Sequence, residues 1–66
     1  MIKLTKVFKI HERFGDMVEI KKEIGNHISI MPFSRKLVSV DSSTGQVMID
    51  EKAFSKRKDF FRKIKD

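Results

Sequence analysis

Residues 37–49 contain the stretch that decides the fold, Leu37-Val38-Ser39-Val40-Asp41-Ser42-Ser43-Thr44-Gly45-Gln46-Val47-Met48-Ile49. Two apolar runs, 37–41 and 46–49, flank four residues of the kinds that favour turns. A four-residue loop pairs Val40 with Val47 and Val38 with Ile49, which keeps these side chains on one face. Gly45 supplies a positive φ at the end of such a turn. The stretch therefore predicts a β-hairpin.

Three more strands are predicted before this hairpin, over about residues 2–10, 17–24 and 27–33. The first alternates like a half-buried strand, with Ile2, Leu4, Phe8 and Ile10 facing inward. Lys6 falls on the same inward row and interrupts it. A bulge that re-phases the strand, or a place for Lys6 beyond the rim of the sheet, would resolve the conflict.

The turn between the second and third predicted strands can have two lengths. A two-residue Gly25-Asn26 loop would set Ile28 opposite Glu23 and mix apolar with polar side chains. A three-residue loop pairs Ile24 with Ile28 and keeps the isoleucines together. Because a slip of one residue moves a whole set of side chains to the other face, we predict the three-residue loop.

The hairpin leads directly into a predicted helix over about residues 51–65. Asp50 is a suitable N-cap, and Glu51 places an acid in the first turn, where the helix dipole favours it. The apolar side chains share one arc of the helical wheel, and the charged ones lie opposite. The members of the apolar arc are Ala53, Phe54, Phe60, Phe61 and Ile64.

Arg57 lies in the centre of that apolar arc. An unpaired charge buried there would be costly. The side chain must therefore extend its head to water, pair with a carboxylate such as Glu12, Asp16 or Glu19, present itself to a phosphate or a partner's acid, or mark a break in the helix near Ser55.

The chain is expected to form one α+β domain over residues 1–66, because 66 residues are too few for two cores. The predicted architecture is a small antiparallel five-stranded sheet, or a partly open SH3-like or OB-like barrel, capped by one C-terminal helix. The sequence has no cysteine, no signal peptide and no membrane-spanning apolar run, which favours a cytoplasmic protein without a membrane partner.

Catalytic and metal-binding motifs are not found in the sequence. His11-Glu12 begins like a zinc-binding helix, but Gly15 occupies the position of the second histidine. His27 lies in a predicted turn with no acid next to it in sequence. We therefore expect neither an enzyme nor a metal or cofactor site.

Positive charge is concentrated at the C-terminus of this chain, whose formal net charge is +6. Residues 52–66 contain seven Lys or Arg against two Asp, whereas residues 1–51 are almost balanced. Such a field attracts phosphates, although a solvated helix face is the ordinary alternative. The predicted function is binding of nucleic acid, either DNA or RNA, mainly through contacts to the phosphate backbone and with weak sequence preference. The candidate residues are Lys3, Lys9, Lys21, Lys52, Lys56, Arg57, Lys58, Arg62, Lys63 and Lys65.

The alternative function is a small regulatory or inhibitory module that docks on an acidic partner protein, or on a second copy as a homodimer. Its basis is the set of apolar side chains left over once one sheet face is filled. The same residues would serve equally well as the lining of a barrel. They are Met31, Phe33, Leu37 and Met48.

Overall fold

A computed structural model of the chain describes residues 1–61. It is a small α+β domain with two antiparallel three-stranded sheets and two short helices. The strands are β1 (Ile2–Lys3), β2 (Phe8–Phe14), β3 (Met17–Ile24), β4 (His27–Ser34), β5 (Val38–Val40) and β6 (Val47–Ile49). A 3-10 helix spans Arg35–Leu37, and the α-helices are α1 (Glu51–Lys56) and α2 (Lys58–Phe61).

The first sheet has the strand order β1-β6-β5 and confirms the predicted hairpin. Val38 pairs with Ile49 and Val40 with Val47, in the register expected from the loop length. The Asp41 carboxylate accepts hydrogen bonds from the Ser43 backbone N–H at 2.9 Å and from its hydroxyl at 2.8 Å. The side-chain bonds expected of an Asx turn therefore hold this loop.

The predicted first strand, residues 2–10, is divided into two strands. A turn separates β1 from β2, with the Phe8 N–H donating to the Thr5 carbonyl at 3.1 Å, and Lys6 lies exposed in it. The break thereby removes the lysine from the inward row. As a further result, β1 belongs to the first sheet and β2 to the second. The expected single five-stranded sheet is thus not confirmed, and the two sheets do not close into a barrel.

The second sheet has the order β2-β3-β4 and is built from two hairpins with two-residue turns. Each turn has a glycine first, Gly15 with φ 57° and Gly25 with φ 59°. Ile24 pairs with His27, so the predicted three-residue loop is wrong. Glycine followed by a small polar residue is a standard two-residue hairpin turn, and its geometry fixes the register. β4 lies at the edge of this sheet.

The register divides the second sheet into an inner and an outer face. Val18 pairs with Phe33 and Ile20 with Met31, and these two pairs face the core. The opposite face, which we call the outer face, places Ile28 and Ile30 in water with 56% and 44% of their surface exposed. The main cluster of buried side chains is Leu4, Phe8, Ile20, Phe33, Val47, Ile49, Ala53, Phe60 and Phe61, and Val18 is buried as well.

The C-terminal part of the core is an aromatic cluster that joins the helices to the second sheet. The Phe60 ring centroid lies 5.6 Å from that of Phe8, and the Phe61 centroid lies 5.4 Å from that of Phe33. Phe54 stacks on Phe61 at 5.2 Å. The predicted contribution of these phenylalanines to the core is confirmed, whereas Ile64 lies outside the described residues.

A lysine completes the contact between β3 and α2. Lys22 Nζ donates a hydrogen bond of 2.7 Å to the Phe60 carbonyl and lies 5.1 Å from the centroid of the Phe60 ring.

Within residues 1–61, no helix is long and apolar enough to cross a lipid bilayer.

Candidate nucleic-acid interface

The two helices meet at Arg57, where the predicted continuous helix of residues 51–65 is broken. Arg57 has φ −124° and ψ 44°, so it leaves the helical conformation. Its carbonyl then accepts hydrogen bonds from the N–H groups of Phe60 and Phe61, which begin the next turn. Of the resolutions considered for a charge in the apolar arc, the structure shows the break. Arg57 is exposed while both phenylalanines are buried.

Four cations surround this break, and we call them the basic corner: Lys52, Lys56, Arg57 and Lys58. All four side chains are exposed. The ion pairs found in residues 1–61 join Lys3 to Asp41 and Lys21 to Glu23. In the part of the chain described, no carboxylate therefore lies within ion-pair distance of the basic corner.

Two shallow grooves flank the basic corner. The larger, of about 430 Å³, lies between α1 and β4 and has Pro32, Phe33 and Ala53 in its wall, with Lys52, Lys56 and Arg57 at its rim. The smaller, of about 330 Å³, is bordered by Met31 and Phe60 and by Lys56, Arg57 and Lys58. Lys56 and Arg57 thus border both grooves, and an anion in either one would meet them.

Of the other predicted cations, Lys3, Lys9 and Lys21 do not join the basic corner. Lys3 forms an ion pair of 2.8 Å with Asp41 in the first sheet. Lys9 and Lys21 are opposite each other on the outer face, where Lys21 Nζ lies 3.7 Å from the Glu23 carboxylate. Arg62, Lys63 and Lys65 lie outside the described residues.

The ion pair with Lys3 acts together with the turn to stabilise the charged form of Asp41. The Lys3 ammonium, followed by the Ser43 backbone N–H and hydroxyl, holds the pKa of the Asp41 carboxyl far below its ordinary value. Lys3 is therefore already engaged by a carboxylate of this chain, unlike the cations of the basic corner.

The predicted protein-interaction patch is not an exposed surface. Phe33 is buried with 6% of its surface exposed, and Met31 and Leu37 are half-buried against the core. Met48 is half-buried in β6. The prediction of an exposed patch is wrong for Phe33 because the two-residue turn places odd-numbered β4 residues inward. The alternative interpretation, that these residues line the core, fits Met31, Phe33 and Leu37.

Of the six large apolar side chains that are exposed within residues 1–61, Phe14, Ile28 and Ile30 lie on the outer face. Ile28 and Ile30 are two residues apart on β4, whereas Phe14, which is 51% exposed, pairs with Met17 at the opposite end of the sheet. The predicted three-residue loop keeps Ile24, Ile28 and Ile30 together on one inward face, so it did not predict the exposure of Ile28 and Ile30.

A further cluster of polar side chains lies on the hairpin of β2 and β3. One ligand atom from each of His11, Glu12 and Glu19 lies within 4.8 Å of the other two. Glu19 does not belong to the helical zinc-binding motif with which His11-Glu12 was compared, so that motif did not predict the cluster. Counting outward from a two-residue Gly15-Asp16 turn pairs Glu12 with Glu19, as the structure shows.

Comparison of the chain with models of protein families, with curated proteins and with solved structures finds no match to any of them.

Proposed function

We propose that the protein binds nucleic acid through the basic corner, mainly by contacts to the phosphate backbone and with weak sequence preference. The observation that carries this proposal is the absence of ion-pair partners for four neighbouring exposed cations within residues 1–61. Asp50 and Asp59 line the two grooves as well, but cations that form no ion pair keep more of their field for a polyanion. Binding releases the counterions that had screened the phosphates, which favours association.

The fold supports this use because hydrogen bonds hold the backbone at Lys52 and at Arg57 in place. Lys52 lies in the first turn of α1, whose N-cap Asp50 accepts a hydrogen bond of 3.0 Å from the Lys52 N–H. Arg57 is held at the helix break by hydrogen bonds to both helices. Backbone positions fixed in this way reduce the conformational freedom that binding must remove.

The measurement is the salt dependence of binding to duplex DNA and to single-stranded RNA. Four phosphate contacts give a slope of log K against log salt of about −3.6 on a duplex, or about a hundredfold weaker binding at 200 mM salt than at 50 mM. Absence of binding at the lower salt concentration would remove the proposal.

A pair of matched variants tests the position of the interface. Lys56→Glu with Arg57→Glu should abolish binding and flatten the salt dependence, because both residues border the two grooves. Lys6→Glu with Lys9→Glu changes the net charge by the same amount on exposed residues of other elements. This control should weaken binding far less. Equal losses would show that net charge alone is responsible.

A second candidate function is protein binding through the outer face, and the exposure of the neighbouring Ile28 and Ile30 on β4 favours it. Neighbouring apolar side chains that remain in water often mark a contact with another protein. Ile28→Ser with Ile30→Ser would then remove association, measured by sedimentation, and leave nucleic-acid binding intact. The charge reversals at Lys56 and Arg57 would have the opposite pattern.

A further inference from the structure

We infer that His11, Glu12 and Glu19 form a binding site for a divalent cation of the zinc type. Each offers one donor atom, and the three donor atoms lie within 4.8 Å of one another. The site is separate from the basic corner and does not depend on nucleic-acid binding.

The convergence of these side chains is produced by a bulge in β2. Ile10 pairs with Ile20 and Glu12 pairs with Glu19, so two steps along β2 match one step along β3. In a regular strand, His11 and Glu12 would point to opposite faces. A bulge opposes two residues to one and re-aims a side chain. His11 and Glu12 are thereby both brought to Glu19.

The electrostatics of the site call for a cation. Glu12 and Glu19 are direct cross-strand partners, and like charges in this arrangement destabilise a sheet. Lys9 and Lys21 occupy the next register position on this face, but Lys21 lies against Glu23, and neither Glu12 nor Glu19 has an ion-pair partner within residues 1–61. A divalent cation between the two carboxylates would convert this repulsion into attraction.

The donor set indicates which class of cation would bind. Zinc takes histidine nitrogen and glutamate oxygen at about 2.0–2.2 Å, which places two donors about 3.4 Å apart in a tetrahedron. Because His11 and Glu12 are exposed and Glu19 is half-buried, small side-chain rotations can close the donors to that distance. Magnesium and calcium prefer all-oxygen sites. Three protein donors leave one tetrahedral position for water or for a further ligand.

The test is calorimetric titration of the tag-free 66-residue chain with zinc chloride and, separately, with magnesium chloride. We expect one zinc ion per chain and no comparable heat with magnesium. His11→Ala should weaken zinc binding about tenfold or more, since even residues that only support a ligand contribute that much. His27→Ala removes the other histidine of the chain and should leave the affinity unchanged.

Glu19→Gln separates loss of the site from loss of the fold. The substitution removes the repulsion with Glu12, so the Tm of the metal-free protein should stay the same or rise, while the zinc-induced increase in Tm disappears. No saturable zinc binding, equal binding of magnesium, or the same affinity in His11→Ala as in the unaltered protein would each overturn the inference.

Discussion

Asp41 shows how one carboxylate serves both a turn and a contact between strands. It accepts two hydrogen bonds from Ser43 and forms an ion pair with Lys3 of β1. All three contacts favour the charged form, so the pKa of Asp41 in the folded chain lies below that in the unfolded chain. A group shifted in this direction stabilises the fold above its unfolded pKa and loses that effect as the pH falls.

The pH dependence of stability should therefore change when Asp41 is replaced. Asp41→Asn should lower the Tm at pH 7, and the difference from the unaltered protein should begin to shrink as the pH falls below about 4, where the carboxyl of the unfolded chain starts to be protonated. It should keep shrinking as the pH falls towards the lower pKa of the folded chain. Thermal unfolding followed by circular dichroism across this range is the measurement. Asp16→Asn, at an exposed turn residue outside any described ion pair, is the control and should show a smaller change. A constant difference at every pH would contradict the prediction.

Single residues that disagree with their surroundings were the most informative part of the sequence. Lys6 interrupts the apolar row of the first predicted strand, and the structure breaks that strand at Lys6. Arg57 interrupts the apolar arc of the predicted helix, and the structure breaks the helix there. In both places, a break costs less than burying a charge. The conflict could be predicted from the sequence, whereas the choice among its resolutions depended on tertiary packing.

At the scale of elements, the hairpin turns decide which side chains are buried. Gly15 and Gly25 each begin a two-residue turn in a left-handed backbone conformation. The turn at Gly25 gives a register that leaves Ile28 and Ile30 exposed, because Met31 and Phe33 fill the inner face. The criterion of keeping the isoleucines on one buried face predicted a three-residue loop. The preference of the Gly25-Asn26 pair for a two-residue turn predicts the observed register.

Gly25→Ala should destabilise the protein by about 1–2 kcal/mol, because a side chain at φ 59° is strained. A Cβ atom there would meet no other atom within 4 Å, so the cost comes from the backbone alone. Urea denaturation measures the change in the free energy of unfolding. Gly25→Asn should cost less, since asparagine tolerates this conformation better. Equal losses in the two variants would contradict this explanation.

The candidate sites differ in how far the sequence predicted them. The charge segregation that suggested the basic corner is visible in the composition of residues 52–66. The break of the helix at Arg57 follows from the packing of Phe60 and Phe61 against the second sheet. The order of residues along the chain does not show this packing. The cluster of His11, Glu12 and Glu19 depends on a bulge, and one extra residue in a strand leaves no clear sequence pattern.

At the scale of the whole molecule, an aromatic cluster holds the two sheets and the helices together. Phe60 and Phe61 contact Phe8 and Phe33 of the second sheet. All four rings share one apolar core with Ile49 of the first sheet. A domain of this size buries a smaller fraction of its surface than a larger domain does, so a few large side chains supply much of its stability.

Phe60→Ala combined with Phe61→Ala should abolish cooperative unfolding. Each buried phenylalanine is worth about 3–5 kcal/mol, whereas small domains have about 5–15 kcal/mol in total. Amide proton dispersion and urea denaturation followed by circular dichroism are the measurements. Phe14→Ala, at an exposed phenylalanine, should change the free energy of unfolding by about 0.5 kcal/mol or less. A cooperative transition of normal midpoint in the double variant would show that the cluster is dispensable.

The position of β4 at the border of its sheet has a consequence for concentrated solutions. A border strand can recruit strands from other molecules and so begin a fibril. β4 contains Pro32, which lacks an amide hydrogen, and prolines of border strands turn their nitrogen away from the existing ladder. An incoming chain would meet the pyrrolidine ring in place of a donor. Pro32 thus protects this border against polymerisation, even though Ile28 and Ile30 lie close to it in sequence.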